Sequence, residues 1–276
     1  MSVRTVGLVA HPSRETAARL AAQASERLAA HGIEVRSLIS DGGSDLDTDG
    51  LDIVISLGGD GTMLRAVDTA YEAGVPVLGV NVGQMGYLTE VEPSEFGAAL
   101  DRLIADDFEV AERMVLEITV ESAGSAQGRW FALNEAVLEK VHTGRLARLE
   151  VDINGSFFTT YAADGVIVAT PTGSTAYSFS ARGPIVSPRH RCLLLTPVSP
   201  HMLFDRSFVL APEETLRFTV CDDRSVVLTA DGRELGELAA GDTVSCRGGD
   251  RPARIVTFAP RDFHQILKAK FGLADR

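Results

Sequence analysis

Cysteine is scarce in this chain. Cys192, Cys221 and Cys246 are the only three, and no CxxC pair occurs. The odd count argues against a disulfide framework and fits a reducing cytoplasm, with three partly buried thiols. Positive charge is also short: 26 Lys and Arg face 38 Asp and Glu, a net charge of −12, and no Lys/Arg run appears. Nucleic acid is therefore not an expected partner. A protein of this sign that binds a polyanion must gather its few cations at the site or use a metal ion. Long apolar runs are missing too. Residues 6–10 (VGLVA) are too few for a signal peptide, and no window approaches a membrane span. The histidines at 11, 31, 142, 190, 201 and 264 show no HxxxH or HExxH spacing, which argues against zinc, and no protein metal ligands are assigned. No GxGxxG follows the first apolar run, no Gly-Lys-Ser/Thr closes a P-loop, and Ser174 lacks the G-x-S-x-G elbow of a serine hydrolase.

What is present is organised around Leu57-Gly58-Gly59-Asp60-Gly61-Thr62. Residues 53–57 before it are apolar and rich in β-branched side chains, a buried strand. Met63, Val67 and Ala70 after it share one helical face. Strand, glycine turn and helix N-terminus together favour phosphate, because free N–H groups and the positive helix end point at the turn. Asp60 is out of place there, since a carboxylate repels phosphate. It could hold Mg²⁺ between itself and phosphates, take a proton from an attacking hydroxyl, or serve only as a helix N-cap.

The chain has 276 residues, enough for two domains. Residues 3–10 read as an opening strand. A helix capped by Ser13 follows, with Ala17, Leu20, Ala21, Ala24 and Leu28 inward, and residues 33–39 form a second strand. Residues 41–50 (DGGSDLDTDG) miss the EF-hand spacing and read as a solvated loop. Residues 75–80 are another buried strand, and a helix entered through Pro93-Ser94-Glu95 turns Phe96, Ala99, Leu100, Leu103 and Ile104 inward. Alternating strands and helices imply a parallel sheet whose ligands sit beyond the strand carboxyl ends. Asp60 lies at that rim, as does Asn81-Val82-Gly83-Gln84-Met85-Gly86-Tyr87, where Tyr87 either stacks on a base or packs in the core.

From about Phe108 the period becomes two. Leu116, Ile118 and Val120 alternate with polar neighbours, as do Leu149, Val151 and Ile153. Asn154-Gly155 and Asp231-Gly232 are hairpin turns, and residues 123–128 a loop tip. The expected fold is an α/β domain with a parallel sheet (1–107), then an all-β sandwich (108–254). A last strand and helix (255–276), the helix after Pro260 carrying Phe263, Ile266, Leu267 and Phe271, are expected back on the first domain.

In the β half, residues 164–180 (DGVIVATPTGSTAYSFS) carry the densest signal. Small hydroxyl residues around Gly and Pro permit close backbone approach to a purine edge or ribose, though such clusters are also ordinary turns. Asn134-Glu135, after an apolar run, can bracket hydroxyls or an amide, or form a plain turn. Arg145 and Arg148 either meet phosphate or are solvated.

Taken in order, GGDGT (58–62), Asn81-x-Gly-x-x-Gly86-Tyr87, Asn134-Glu135, Asp164-Gly165 and TPTGSTAY (170–177) resemble the NAD kinase family. GGDGT alone also resembles diacylglycerol and sphingosine kinases and phosphofructokinases. The resemblance implies a two-domain NAD kinase-like fold and transfer of the γ-phosphoryl of ATP, or of polyphosphate, to the adenosine 2′-hydroxyl of NAD. It implies Mg²⁺ brought with ATP, and a homodimer or homotetramer whose sites borrow residues from a neighbouring subunit. It casts Asp60 as proton acceptor and Gly58, Gly59, Gly61 and Thr62 as the phosphate loop. It assigns NAD to Asp60, Gly61, Arg65, Tyr87, Asn134, Glu135, Arg145, Asp164, Thr175, Ala176, Tyr177, Ser178, Phe179, Ser180 and Arg233. The sequence departs from the family pattern at Arg182, where the first of two glycines is usual, at Ser207 in place of proline, and at Ala162 in place of a basic residue. Arg233 replaces a polar contact residue. Arg182 and Ala162 motivate a catalytically weak NAD(P)-binding regulatory homologue as the alternative, and GGDGT alone a lipid kinase.

Overall fold

The computed structural model describes residues 3–38, 47–83, 86–122, 127–221, 224–259 and 262–273. Ile39, residues 41–46 of the acidic loop, Gln84 and Met85, the tip at 123–126, and Pro260 lie outside them. The chain forms two compact units, Met1–Glu112 with Ala253–Arg276, and Arg113–Pro252.

In chain order the first unit contains β1 (Thr5–Ala10), α1 (Glu15–Ala30), β2 (Glu34–Ser37), β3 (Ile53–Gly58), α2 (Asp60–Ala73), β4 (Val77–Asn81), α3 (Phe96–Ile104) and β5 (Glu109–Arg113). The second follows with β6 (Leu116–Glu121), β7 (Gly128–Ala132), β8 (Glu135–Lys140), β9 (Ala147–Ile153), β10 (Ser156–Ala163), β11 (Gly165–Ala169), α4 (Tyr177–Ser180), β12 (Leu193–Val198), β13 (Phe208–Leu210), β14 (Leu216–Val220), β15 (Val226–Ala230), β16 (Arg233–Leu238) and β17 (Thr243–Gly248). Then β18 (Ala253–Thr257) and α5 (Phe263–Phe271) complete the first unit.

The first sheet runs β2-β1-β3-β4-β18-β5, with parallel ladders joining β2, β1, β3, β4 and β18. Every residue of β3 is buried, as a parallel strand covered on both faces requires. On one face Ile53, Ile55 and Leu57 meet Leu20 and Leu28 of α1 and Phe96, Leu100 and Leu103 of α3. On the other, Gly79 leaves room for Met63 of α2, whose Sδ lies 3.0 Å from where a Cβ would stand. Each fully buried leucine or phenylalanine contributes about 1.5–3 kcal/mol. The expected Ser13 cap is not formed. Helix α1 begins after Arg14 with no side-chain cap bond, because the Ser13 hydroxyl and N–H both turn to His11 Nδ1. The strand β5, beyond Phe108, still belongs to the first sheet. Helix α5 is capped by Asp262, which accepts from His264 N–H and Gln265 N–H, and it has no buried residue.

The second unit is a sandwich of two antiparallel sheets, β10-β9-β14-β17-β6-β7 and β13-β12-β11-β8-β15-β16. They share one core, in which the inward residues of the alternating strands, Leu116, Ile118 and Val120 among them, join Leu149, Tyr161, Val166, Leu195, Phe218 and Leu228. Asn154 (φ +53°) and Gly155 (φ +75°) turn β9 into β10, and Asp231 (φ +49°) and Gly232 (φ +77°) turn β15 into β16, both with the left-handed pair that tight hairpins need. Strand β11 is apolar throughout because it is covered twice. Val166 and Val168 enter the sandwich core, while Ile167 and Ala169 pack under Tyr177, Ala181 and Val186.

Candidate functional site

At the exit of β3 the chain turns on Gly58 and Gly59 into α2. Gly59 (φ −95°, ψ −169°) is the N-cap, and Asp60 is the first helical residue, so the capping reading of Asp60 does not hold. Its carboxylate reaches instead across to the loop after β4. Oδ2 accepts from Tyr87 N–H at 2.9 Å and Oδ1 from Leu88 N–H at 3.1 Å. The two glycine turns found in the sequence are thereby tied together. Gly86 makes the approach possible, since a Cβ there would stand 2.0 Å from Asp60 Oδ1. A Cβ on Gly58 would stand 2.2 Å from Thr62 Oγ1, so the buried Thr62 hydroxyl is packed beneath the turn. Gly61 and Arg65 are exposed, and Arg65 Nη2 lies 3.4 Å from Thr62 Oγ1.

Asn81 donates to Glu92 Oε1 at 3.0 Å, and its buried Oδ1 has no partner among the described residues. Tyr87 is half-buried, with Lys270 Nζ of α5 4.2 Å from its ring centroid. That ammonium occupies one face of the half-buried ring. Burial, and then the charge of Asp60, push the Tyr87 phenol up. Arg14 lies at the same rim, its Nη1 1.9 Å from where a Cβ of Gly83 would be. Neither Lys270 nor Arg14 could be singled out from sequence, because both reach this loop from segments remote in the chain.

In the second unit, Asn134 and Glu135 lead into β8. The segment after β11 closes on them: Thr170 N–H donates to Asn134 O at 2.8 Å, and the Thr170 hydroxyl donates to Leu133 O at 2.5 Å. Gly173 N–H donates to Thr170 Oγ1, and a Cβ on Gly173 would stand 2.1 Å from Asn134 O. Glycine is therefore obligatory at 173 for backbone to lie on backbone. Glu135 is 7% exposed. Burial first, and then the nearby Asp231 carboxylate, push its pKa up to about 8, against the pull of the Tyr177 N–H.

The hydroxyls of residues 170–180 divide by role. Ser174 bonds Val186 O and N–H, both at 3.0 Å, and Ser178 pairs with Thr196, which reaches Ser207. These two serines hold the segment down. Thr175, Ala176 and Tyr177 are half-buried, Thr175 Oγ1 bonding Thr172 O at 3.3 Å, while Phe179 and Ser180 are exposed. Tyr177 donates its hydroxyl to Glu139 at 2.6 Å, and burial, then that bond, push its phenol up to about 12. Asp164 is ion-paired with Lys140. Arg145 and Arg233 are exposed. Ala162 lies opposite Arg148 in the β9–β10 ladder.

A model of the ATP-NAD kinase N-terminal domain matches residues 39–108, and one of the ATP-NAD kinase C-terminal domain matches residues 133–258. An NAD kinase 2 of Streptomyces avermitilis is 39% identical over 98% of this chain and 95% of its own. The chain belongs to the NAD kinase family. An NAD kinase of Heliobacterium modesticaldum is 44% identical over 80% of this chain and 78% of its own. Among solved structures, yeast NADH kinase complexed with NADH superposes with a TM-score of 0.88 at 25% identity, over 100% of this chain and 89% of the other. An NAD kinase from Archaeoglobus fulgidus in complex with ATP gives 0.73 at 25% identity, over 98% and 97%. The chain is an NAD kinase by fold and activity, and neither the regulatory nor the lipid-kinase alternative is favoured.

One departure from the NAD kinase pattern has a clear physical consequence. Gly183 N–H donates to Ser178 O and Arg182 N–H to Phe179 O, which places Arg182 at the left-handed position that closes α4. Its φ is +67°. A glycine is at ease there; Arg182 adopts the same backbone under strain. Gly183 is retained, and a Cβ on it would stand 2.2 Å from Ser178 Oγ.

Proposed function

We propose that Asp60 is the general base in the transfer of the γ-phosphoryl of ATP to the adenosine 2′-hydroxyl of NAD. The observation that carries this reading is the setting of the Asp60 carboxylate. It stands at the N-terminus of α2, fixed by two backbone N–H groups, and packs closely on Gly86, where no side chain would fit. One bond to each oxygen leaves each a further lone pair for a substrate proton. A ribose hydroxyl is a poor nucleophile at neutral pH. Accepting its proton as the oxygen attacks phosphorus is worth about 10²–10⁴ in rate.

Gly58, Gly59, Gly61 and Thr62 line the helix N-terminus, suited to donor phosphates, and Arg65 stands one turn along it. Mg²⁺ comes with ATP as part of that substrate. When bound it neutralises the triphosphate. Polyphosphate presents the same oxygens and is a second candidate donor. The NAD contacts are then Asn134, Glu135, Asp164, Thr175, Ala176, Tyr177, Phe179 and Ser180 with Tyr87, Arg145 and Arg233, while Ser178, assigned to NAD from sequence, is fully buried on Thr196 and supports the segment from beneath.

The reading places the chain in the cytoplasm; no helix of the described residues is long and apolar enough to cross a membrane. Self-association through the edge strands of the sandwich is supported by an exposed aromatic cluster. Phe158 stacks on Phe208 at 5.5 Å and meets Phe204 edge-on at 5.6 Å, with Phe157 beside it 63% exposed. Sedimentation of wild type against Phe158→Asp tests it, a homodimer or homotetramer being expected to shift to smaller species. The activity itself is tested by incubating the protein with NAD, Mg²⁺ and either ATP or polyphosphate and measuring NADP. No product with either donor, beside a working control enzyme, sinks the proposal.

A further inference from the structure

We infer that Asp231, in the hairpin turn between β15 and β16, is a positioning residue of the dinucleotide site: its carboxylate sets the shape of the Leu133–Glu135 backbone and the hydrogen-bonding character of Glu135. The inference rests on the reading of Asn134 and Glu135 as NAD contacts.

The geometry is specific. Oδ2 of Asp231 accepts from Leu133 N–H at 2.7 Å, and Oδ1 accepts from Asn134 N–H at 2.8 Å and Glu135 N–H at 3.1 Å. Three successive amides thus converge on one anion, a nest filled from within the chain. The contact is returned, since Asp231 N–H donates to Glu135 O at 3.0 Å. Ordinary hairpin turns do not require this. Asp231 has φ +49°, which asparagine or glycine would serve as well.

What the carboxylate adds is charge beside a buried acid. Glu135 Oε2 is buried and has no partner among the described residues. Of the strands beside it, β11 (GVIVA) and β15 (VVLTA) carry no titratable side chain, and Tyr177 contributes its N–H. With its pKa up to about 8, Glu135 is protonated at neutral pH. A neutral carboxyl both donates and accepts one hydrogen bond, which matches a sugar hydroxyl and adds no charge near a pyrophosphate. An ionised Glu135 can only accept. NAD affinity is therefore expected to fall as pH rises through about 8.

The test combines NMR titration of Glu carboxyl carbons, the Glu135 signal assigned with Glu135→Gln, with calorimetric NAD affinity from pH 6 to 9. Asp231→Asn keeps the left-handed turn and removes the charge. Its Glu135 midpoint is expected to fall by about one unit or more, and NAD Kd at pH 7.5 to rise about threefold or more. In a Glu135→Gln background the same substitution should change Kd less than about twofold. Should Asp231→Asn fail to fold, Asp231→Gly, also at ease at this φ, serves in its place. A lowered Tm with midpoint and Kd unmoved would make Asp231 a structural turn residue and overturn the inference. Wild type that binds no NAD while its Glu135 midpoint still moves with Asp231 would overturn the NAD reading and spare the pairing.

Discussion

At the scale of single residues the structure separates groups that sequence alone left alike. Asp60 stood out because a carboxylate in a glycine turn at a strand exit has few other uses. Asp60→Asn is expected to cut kcat by about 10² or more while NAD Kd changes only a few-fold, as measured by steady-state kinetics beside calorimetry. Equal kcat would remove the base role. Asp231 was legible only as a turn, because its amide partners lie 96 to 98 positions away. Glu135 carries a pH prediction. Its folded pKa of about 8 lies above the ordinary 4.5, so the unfolded chain sheds this proton first, and the contribution declines as pH rises through that window. Glu135→Gln has no proton to lose. Its Tm should gain on wild type from pH 5 to pH 8, and a constant difference would contradict the shift. Arg182→Gly should gain about 0.5–1 kcal/mol: relief of a left-handed side chain is worth roughly 1–2 kcal/mol, less the extra freedom of glycine in the unfolded chain. Denaturant midpoints decide the sign.

At the scale of elements, the strand–turn–helix around Asp60 and the two hairpins were readable because they are set by neighbours a few residues apart. Helix α1's cap was misread for a local reason as well, His11 competing for Ser13. The closure of residues 170–173 on Asn134 was not readable, since it is backbone lying on backbone across different strands. It gives a sharp expectation. Gly173→Ala places a methyl 2.1 Å from Asn134 O, a contact that no rotamer change can relieve. A loss of about 1–3 kcal/mol in stability should accompany weaker NAD binding, by thermal melts and calorimetry. Unchanged NAD affinity in a destabilised protein would mean that this junction only supports the fold.

At the scale of the molecule, the order of strands decides what can fold alone. Strand β18 lies between β4 and β5, so the first sheet needs the last part of the chain. Both sheets of the sandwich are built wholly from β6 to β17. A chain ending at Pro252 should therefore lose the first unit, while a fragment from Arg113 to Pro252 keeps dispersed NMR amide signals. Collapse of that fragment's spectrum would show that the sandwich depends on the other unit.

The succession of α/β and all-β parts, the buried strands, the hairpin turns and the placing of Asp60 at a strand exit followed from sequence alone, because periodicity and turn chemistry act over a few residues. The pairing of Asp60 with Tyr87 and Leu88, the Lys270 cap on Tyr87, the Asp231 nest and the burial that raises the pKa of Glu135 were decided only by tertiary structure. Each depends on distance and burial between segments far apart in the chain, and neither quantity is written in local composition.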